Sequence, residues 1–202
     1  LIAFPTRELF VEKLDGFDLI IFDQYERRGV LPLAYFDNMA RFVDRGGALL
    51  IAAGPPFAGP ASLFNTPLAS VLPVRPTGEI DIGRFVPKLT RLGLAHAVTA
   101  PLAAQAADWG SWQRLIEADA RAGEVLMEAN GKPLLVLDRV GEGRTAVLLS
   151  DQLWLWARGH EGGGPYAELV RRTAHWLMKE PELEEERLDL TADGTTLTAR
   201  LR

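Results

Sequence analysis

The chain has 202 residues, with 22 Lys+Arg against 27 Asp+Glu, three His and no cysteine; its formal charge is −5 and 48% of it is hydrophobic, an ordinary globular composition. Zero cysteine excludes a disulfide framework, a thiolate metal site and a Cys nucleophile. The balance of charge gives no basic face for nucleic acid, and no stretch reaches the roughly 18 apolar residues of a membrane span.

In chain order, Pro5-Thr6 opens a helix carrying Leu9, Phe10 and Leu14, stopped by Gly16. The run Phe17–Phe22 has the length of a strand, and its unbroken apolar character predicts cover on both faces. A helix follows from Pro32 to Arg45 with Phe36, Met39, Ala40 and Val43 on one stripe, ended by Gly46-Gly47. Ala48–Ala53 is a second buried strand, cut off by Gly54-Pro55-Pro56. Helix, strand, helix, strand in 55 residues predicts an α/β domain with parallel strands and right-handed crossovers.

Residues 54–76 read as a long Pro/Gly/Ala loop around a short helix at Leu68–Leu72, and Thr77–Pro87 as an irregular strand. His96–Leu102 reads as a loop and Asp108–Ile116, with Trp109 and Trp112, as a short helix. Gly123–Glu128 is a strand before the tight turn Asn130-Gly131. Leu134–Asp138 and Arg144–Ser150 form an antiparallel hairpin. Gly162-Gly163-Gly164-Pro165 leads into the strongest helix, with Tyr166, Leu169, Val170, Thr173 and Leu177 at helical spacing. Five Glu between Glu180 and Glu186 end it, and Leu188–Leu201 has a hairpin pattern about Asp193-Gly194. Residues 1–186 are thus expected to form one α/β domain, and 187–202 a C-terminal hairpin or the start of a β-rich module.

In an open α/β sheet ligands bind beyond the carboxyl ends of the parallel strands. Those ends and the loops leading out of them supply the candidate pocket residues Asp23, Tyr25, Gly54, Asp151, Trp154, Trp156, Arg158 and His160. Trp154 and Trp156, read as alternate positions of an extended segment, would face the same way, to pack a sheet edge, stack on a ring or anchor a partner. Catalytic residues are not expected. The turn after the second strand offers Ala52, Ala53 and Gly54, Ser150 lacks a glycine-flanked elbow, and Ser62 lies in a loop. A metal would need His160, Asp151 and Asp23 to converge, without HExxH-like spacing, so no metal and no cofactor is expected. The triple glycine before Tyr166 reads as a connector, or as a free helix N-terminus for an anion.

The segments FDLIIFD (17–23) and LAYFDNMARFVDRGGALLIAAG (33–54), with SLFNTPLASVLP (62–73), LTRLGLAHAVTAPL (89–102), GEGRTAVLLSDQLWLWARG (141–159) and GGGPYAELVRRTAHWLMKEPELEEE (162–186), resemble the class I glutamine amidotransferase-like superfamily, as found within large bacterial membrane proteins. The resemblance implies a three-layer, flavodoxin-like, mainly parallel sheet whose first strand precedes Leu1. It also implies a membrane-anchored parent whose transmembrane helices lie outside this segment; the side of the membrane is left open, the periplasmic side being favoured. The family's catalytic Cys would fall at Ala52-Ala53, a degenerate elbow, and its His and Glu at Ser150-Asp151-Gln152.

The function expected is therefore a non-catalytic module for protein interaction or ligand sensing, partnered by other domains of its parent or by another protein. Two alternatives stand beside it. One is a hydrolase-like enzyme using Asp23, Asp151 and His160; the other is a small-molecule binder using Trp154 and Trp156.

Overall fold

The computed structural model describes residues 5–180, 188–193 and 196–201. The first helix condenses to a π-helical turn, Glu8–Glu12, followed by a 3-10 turn, Leu14–Gly16. The apolar run then forms strand β1 (Leu19–Asp23), and the amphipathic stretch forms helix α1 (Leu33–Asp44), with Phe36, Met39, Ala40, Phe42 and Val43 buried. Strand β2 (Ala48–Ala52) pairs in parallel with β1, as the alternation of elements requires.

The middle of the chain departs from expectation. Residues 54–70 contain three 3-10 turns rather than one helix. Strand β3 (Val74–Phe85) is long and bulged, β4 (Lys88–Leu89) is short, and a 3-10 stretch covers Ala100–Asp108. The helix expected over Asp108–Ile116 is instead β5 (Trp112–Ala120), antiparallel to β3 in a separate two-stranded sheet. From Trp112 on, burial falls on Trp112, Leu115, Ile116 and Ala118, and pairing with β3 overrides the weak helical reading of the two tryptophans.

Strands β6 (Glu124–Ala129), β7 (Lys132–Val140) and β8 (Gly143–Leu148) complete a six-stranded sheet of order β1-β2-β8-β7-β6-β4. β1–β2 and β2–β8 are parallel, whereas β8–β7, β7–β6 and β6–β4 are antiparallel. The expected mainly parallel layout is therefore corrected to a mixed sheet with an antiparallel majority of pairings, which includes the expected β7–β8 hairpin. The reason is local: Asn130 and Gly131 both take positive φ (51° and 76°), and a connection that short joins only antiparallel neighbours.

The remaining helices match expectation to different degrees. A single turn, α2 (Trp154–Ala157), replaces the extended segment expected there. The strong helix is α3 (Tyr166–Leu177), with Leu169, Thr173, Trp176 and Leu177 buried. Helix α1 covers the Phe22 face of the parallel strands, its Phe36 ring 6.3 Å from that of Phe22, and α3 packs on β2 and β8 from the other side. β1 is an edge strand of this sheet, and Ile21 is 56% exposed, so the double cover expected of its apolar run is not met.

At the C-terminus, strands β9 (Leu188–Asp193) and β10 (Thr196–Leu201) pair antiparallel in a sheet of their own, as the hairpin pattern predicts. The acidic run from Glu182 to Glu186, the 186/187 boundary and Gly194 lie outside the described residues. No helix among the described residues is long and apolar enough to cross a membrane.

Candidate functional site

Period 2 along the strands sets one wall of the site. Ile21 and Asp23 share a face of β1, and Leu50 and Ala52 share the same face of β2. With Leu135, Leu148 and the α3 residues Tyr166, Leu169, Val170 and Thr173, they enclose a pocket of about 310 Å³ at the carboxyl ends of the parallel strands. Gln24, Ser150, Asp151, Leu153 and Trp154 close its far end. The volume lies at the lower end of the range for small-ligand sites, and the lining is mostly apolar. A wider depression of about 520 Å³ lies at the opposite ends of β1 and β2, but Asp15 and Arg45, which line it, already pair at 2.6 Å.

The polar end is built by β8 and the turn after it. Ser150 is fully buried; its hydroxyl donates to the Arg114 carbonyl at 2.6 Å and accepts from the Gln152 N–H at 3.2 Å. That serine is a structural tie between β5 and the turn, its two hydrogen-bond partners both backbone groups. Asp151 follows, its side chain 8% exposed, and Oδ2 accepts from Arg114 Nη1 at 2.5 Å. Its other oxygen, Oδ1, is buried and has no partner. An unsatisfied buried acceptor of this kind costs about 1–3 kcal/mol.

Of the eight expected pocket residues, Asp23, Asp151 and Trp154 line the pocket, and five do not. Tyr25 packs on the α1 side against Phe22 and Phe36, at 4.9 and 6.2 Å between rings, and burial raises its hydroxyl pKa. Gly54 makes room for Gln24, since a Cβ there would lie 3.1 Å from the Gln24 Cγ. Helical winding of α2 separates the two tryptophans expected to face the same way: Trp154 is 53% exposed while Trp156 is buried. The Trp156 indole donates to the Gly110 carbonyl at 2.8 Å, and its ring lies 5.0 Å from Trp109 and 4.8 Å from Trp112. Arg158 is exposed outside the pocket.

His160 sits beside Glu161, 4.0 Å away, in a separate cluster. There the Glu161 carboxylate accepts from Arg84 and from the buried Ser111 hydroxyl, each at 2.6 Å. Those two donors, Arg84 first, hold its pKa down to about 2. The convergence of Asp23, Asp151 and His160 is thus not met. β2 lies between β1, which carries Asp23, and β8, which leads into the turn with Asp151, two strand spacings of about 4.8 Å each. Among the described residues no three His, Asp or Glu side chains group as a metal site. The glycines before α3 serve packing: the Gly163 carbonyl accepts from Gly110 N–H at 2.6 Å, and a Cβ on Gly164 would lie 2.3 Å from the Trp156 ring.

Ala52 ends β2 in the pocket wall, and Ala53 extends the pairing, its N–H bonded to the Leu148 carbonyl at 2.8 Å. Neither carries a reactive group. Ile21, Leu50, Tyr166 and Val170 are pocket residues the strand-end rule overlooks. Their signal lies in the sequence: period 2 from Asp23 and Ala52, and the i, i+4 pair of Tyr166 with Val170.

No protein-family model and no curated protein matches the chain. Among solved structures it is similar to the cytoplasmic protein STM3548 from Salmonella typhimurium, at 24% identity and TM-score 0.69, over 87% of this chain and 76% of that one. The cytoplasmic protein STM1381 from Salmonella typhimurium LT2 matches at 23% and 0.68, over the same shares. A cold-adapted β-galactosidase from Rahnella sp. R3 matches at 18% and 0.55, over 90% of this chain but 26% of the enzyme. At these identities the likeness is one of fold alone.

These matches correct the family expectation. The similar structures are described as cytoplasmic proteins and a β-galactosidase, not as glutamine amidotransferase-like domains of membrane proteins. The amidotransferase assignment, the membrane-protein parent and the periplasmic placement are withdrawn. The physical reason is that a helix ended by Gly-Gly and leading into an apolar strand is a general feature of βαβ units, and many unrelated functions share them.

Proposed function

We propose that this chain is a ligand-binding domain without chemistry of its own, acting through the pocket between α3 and the parallel strands. The observation that carries the reading is the pocket itself: a mostly apolar lining at the carboxyl ends of the parallel strands, closed at one end by Gln24, Ser150 and Asp151. Apolar walls with a few polar groups at one end are the ordinary form of a small-ligand site.

Against the enzymatic alternative stand the Ser150 hydroxyl, engaged by the Arg114 carbonyl, and His160, which lies beside Glu161 and outside the pocket lining. Against the paired-tryptophan binder stands Trp156, held in the core; Trp154 alone faces the pocket. A protein-docking role has a surface in the exposed Ile21 on the sheet edge, but no residue pattern there selects a partner. On this reading the parallel block β1–β2–β8, between α1 and α3, is a flavodoxin-like portion of the mixed sheet; its parallel pairing and helices on opposite faces support this.

The test is thermal melting of the chain against a panel of small metabolites, alongside two variants that fill or charge the pocket wall, Val170→Glu and Ile21→Glu. At least one compound should raise the melting temperature of the parent chain and neither variant's. Ester or glutamine hydrolysis that Ser150→Ala abolishes would overturn the reading, as would a panel whose only stabilisers act equally on both variants.

A further inference from the structure

The two edges of the six-stranded sheet are finished differently. At one edge β4 has two residues, of which Lys88 is exposed, and a short charged edge strand resists further pairing. At the other, β1 runs in unbroken register with β2 and has no Lys, no Pro and no bulge to blunt it. Among the described residues β2 is its only pairing partner. The Asp18 carbonyl accepts from Ala48 N–H at 3.1 Å, and Gln24 N–H donates to the Ala52 carbonyl at 2.8 Å. The even-numbered residues of the run are thus the ones that bond to β2. The N–H and C=O groups of Leu19, Ile21 and Asp23 point outward, off the sheet.

The side chains of this edge select no foreign partner, but its main chain is self-complementary. Antiparallel pairing of two copies about Ile21 sets Ile21 against Ile21, and Leu19 of each copy against Asp23 of the other. All three pairs are then of the hydrogen-bonded kind, each exchanging two N–H···O bonds. The opposed Ile21 side chains, largely exposed in the single chain, cover each other. Like charges stay apart: the two Asp23 residues lie four positions apart along the ladder, roughly 14 Å, whereas parallel pairing in register would set them side by side. Trp154, Tyr166 and Val170 are also exposed and line the same pocket as Ile21. The four side chains expose roughly 400 Å² per copy, against about 800 Å² per partner in a standard interface, which places the pair among weak, concentration-dependent dimers.

We infer that β1 is the contact edge of a symmetric homodimer, in which two copies of this chain join their sheets by antiparallel pairing of Leu19–Asp23 about Ile21. Twofold dimers are the commonest soluble oligomers, and such a contact needs only one self-complementary patch. The dimer stands apart from the pocket's ligand, since each copy keeps its own pocket.

Sedimentation velocity of the 202-residue chain from about 1 to about 200 µM should show a monomer–dimer equilibrium with a Kd of about 10–100 µM. Ile21→Lys sets two ammonium groups face to face and should weaken association at least about tenfold. Ile82→Lys, at an exposed position of β3, should leave it unchanged. Both positions are exposed, so folding is not at stake, and melting curves check this. Because the chain has no cysteine, single-Cys variants read the register directly. Ile21→Cys brings the two Cα atoms to about 5.5 Å, within disulfide reach, and should link the dimer on oxidation; Asp23→Cys, roughly 14 Å apart, should not. A monomer throughout the range overturns the inference, as does a dimer that Ile21→Lys leaves intact. Linking of Asp23→Cys as fast as Ile21→Cys overturns the register. The metabolite panel, run at about 1 µM where the chain is monomeric, tests the pocket separately.

Discussion

Arg114 on β5 and Asp151 after β8 meet at 2.5 Å, and the same residue 114 accepts the Ser150 hydroxyl through its carbonyl. One residue of the smaller sheet thus holds two consecutive residues at the carboxyl end of the larger one. The polar end of the pocket is assembled across two sheets.

Removing the guanidinium should therefore loosen the pocket and destabilise the fold. Arg114→Ala leaves Asp151 as a nearly buried carboxylate without its cation. Loss of one member of a fully buried pair costs about 3–5 kcal/mol, and the 35% exposure of Arg114 reduces this to about 1–3 kcal/mol. The double variant with Asp151→Ala should recover part of the loss. Urea unfolding of the two single variants and the double variant measures the coupling.

The two tryptophans of α2 should behave oppositely. Trp156→Ala removes a buried ring packed on Trp109 and Trp112 together with the bond to Gly110, a loss of about 3–5 kcal/mol. Trp154→Ala, at a half-exposed position, should stay within about 0.5–1 kcal/mol while removing the fluorescence response to any pocket ligand. Thermal melts separate the two by roughly 2–4 °C per kcal/mol for a chain of this size.

The Glu161 cluster makes stability depend on acid. With its folded-state pKa held near 2 by Arg84 and Ser111, below the ordinary 4.5, the ionised form is favoured by folding. Its contribution is complete above about pH 4.5 and is lost as the pH falls toward about 2. Glu161→Gln should melt below the parent chain at neutral pH, and the gap should close through that interval. A gap that stays constant down to about pH 2 would show that Glu161 acts through shape alone.

Gly143 tests the join between the two halves of the large sheet. A Cβ there would lie 1.9 Å from the Val43 carbonyl oxygen and 2.4 Å from that of Gly47, where α1 hands over to β2. Backbone cannot yield as a side chain does, so Gly143→Ala should cost at least about 1–3 kcal/mol. Gly16→Ala, which meets nothing within 4 Å, should be nearly neutral. Denaturant midpoints of the two variants give the comparison.

Much of this fold is legible locally. The apolar stripe of α1, the spacing of α3, the buried run of β2 and the Asn130-Gly131 turn each arise from neighbours within one or two turns of chain, where periodicity and φ preference operate. The C-terminal hairpin and the parallel β1–β2 pair are equally readable. Asp23, Asp151 and Trp154 can be picked out because the carboxyl ends of parallel strands are where such sheets leave space.

What the sequence settles alone is the absence of a cysteine nucleophile and those elements with strong local signals, such as α1, β2 and α3. Only the tertiary structure decides which strand lies beside which, that β1 stands at an edge with Ile21 exposed, and that Trp112 belongs to a strand. It also decides how each polar group is used: His160 with Glu161, Ser150 with a carbonyl, Asp151 with Arg114 across a sheet boundary. The reason is range. Helix and turn signals act between residues a few positions apart, whereas a pocket is made by pairings between residues as distant as 114 and 151, whose energies depend on every element packed between them.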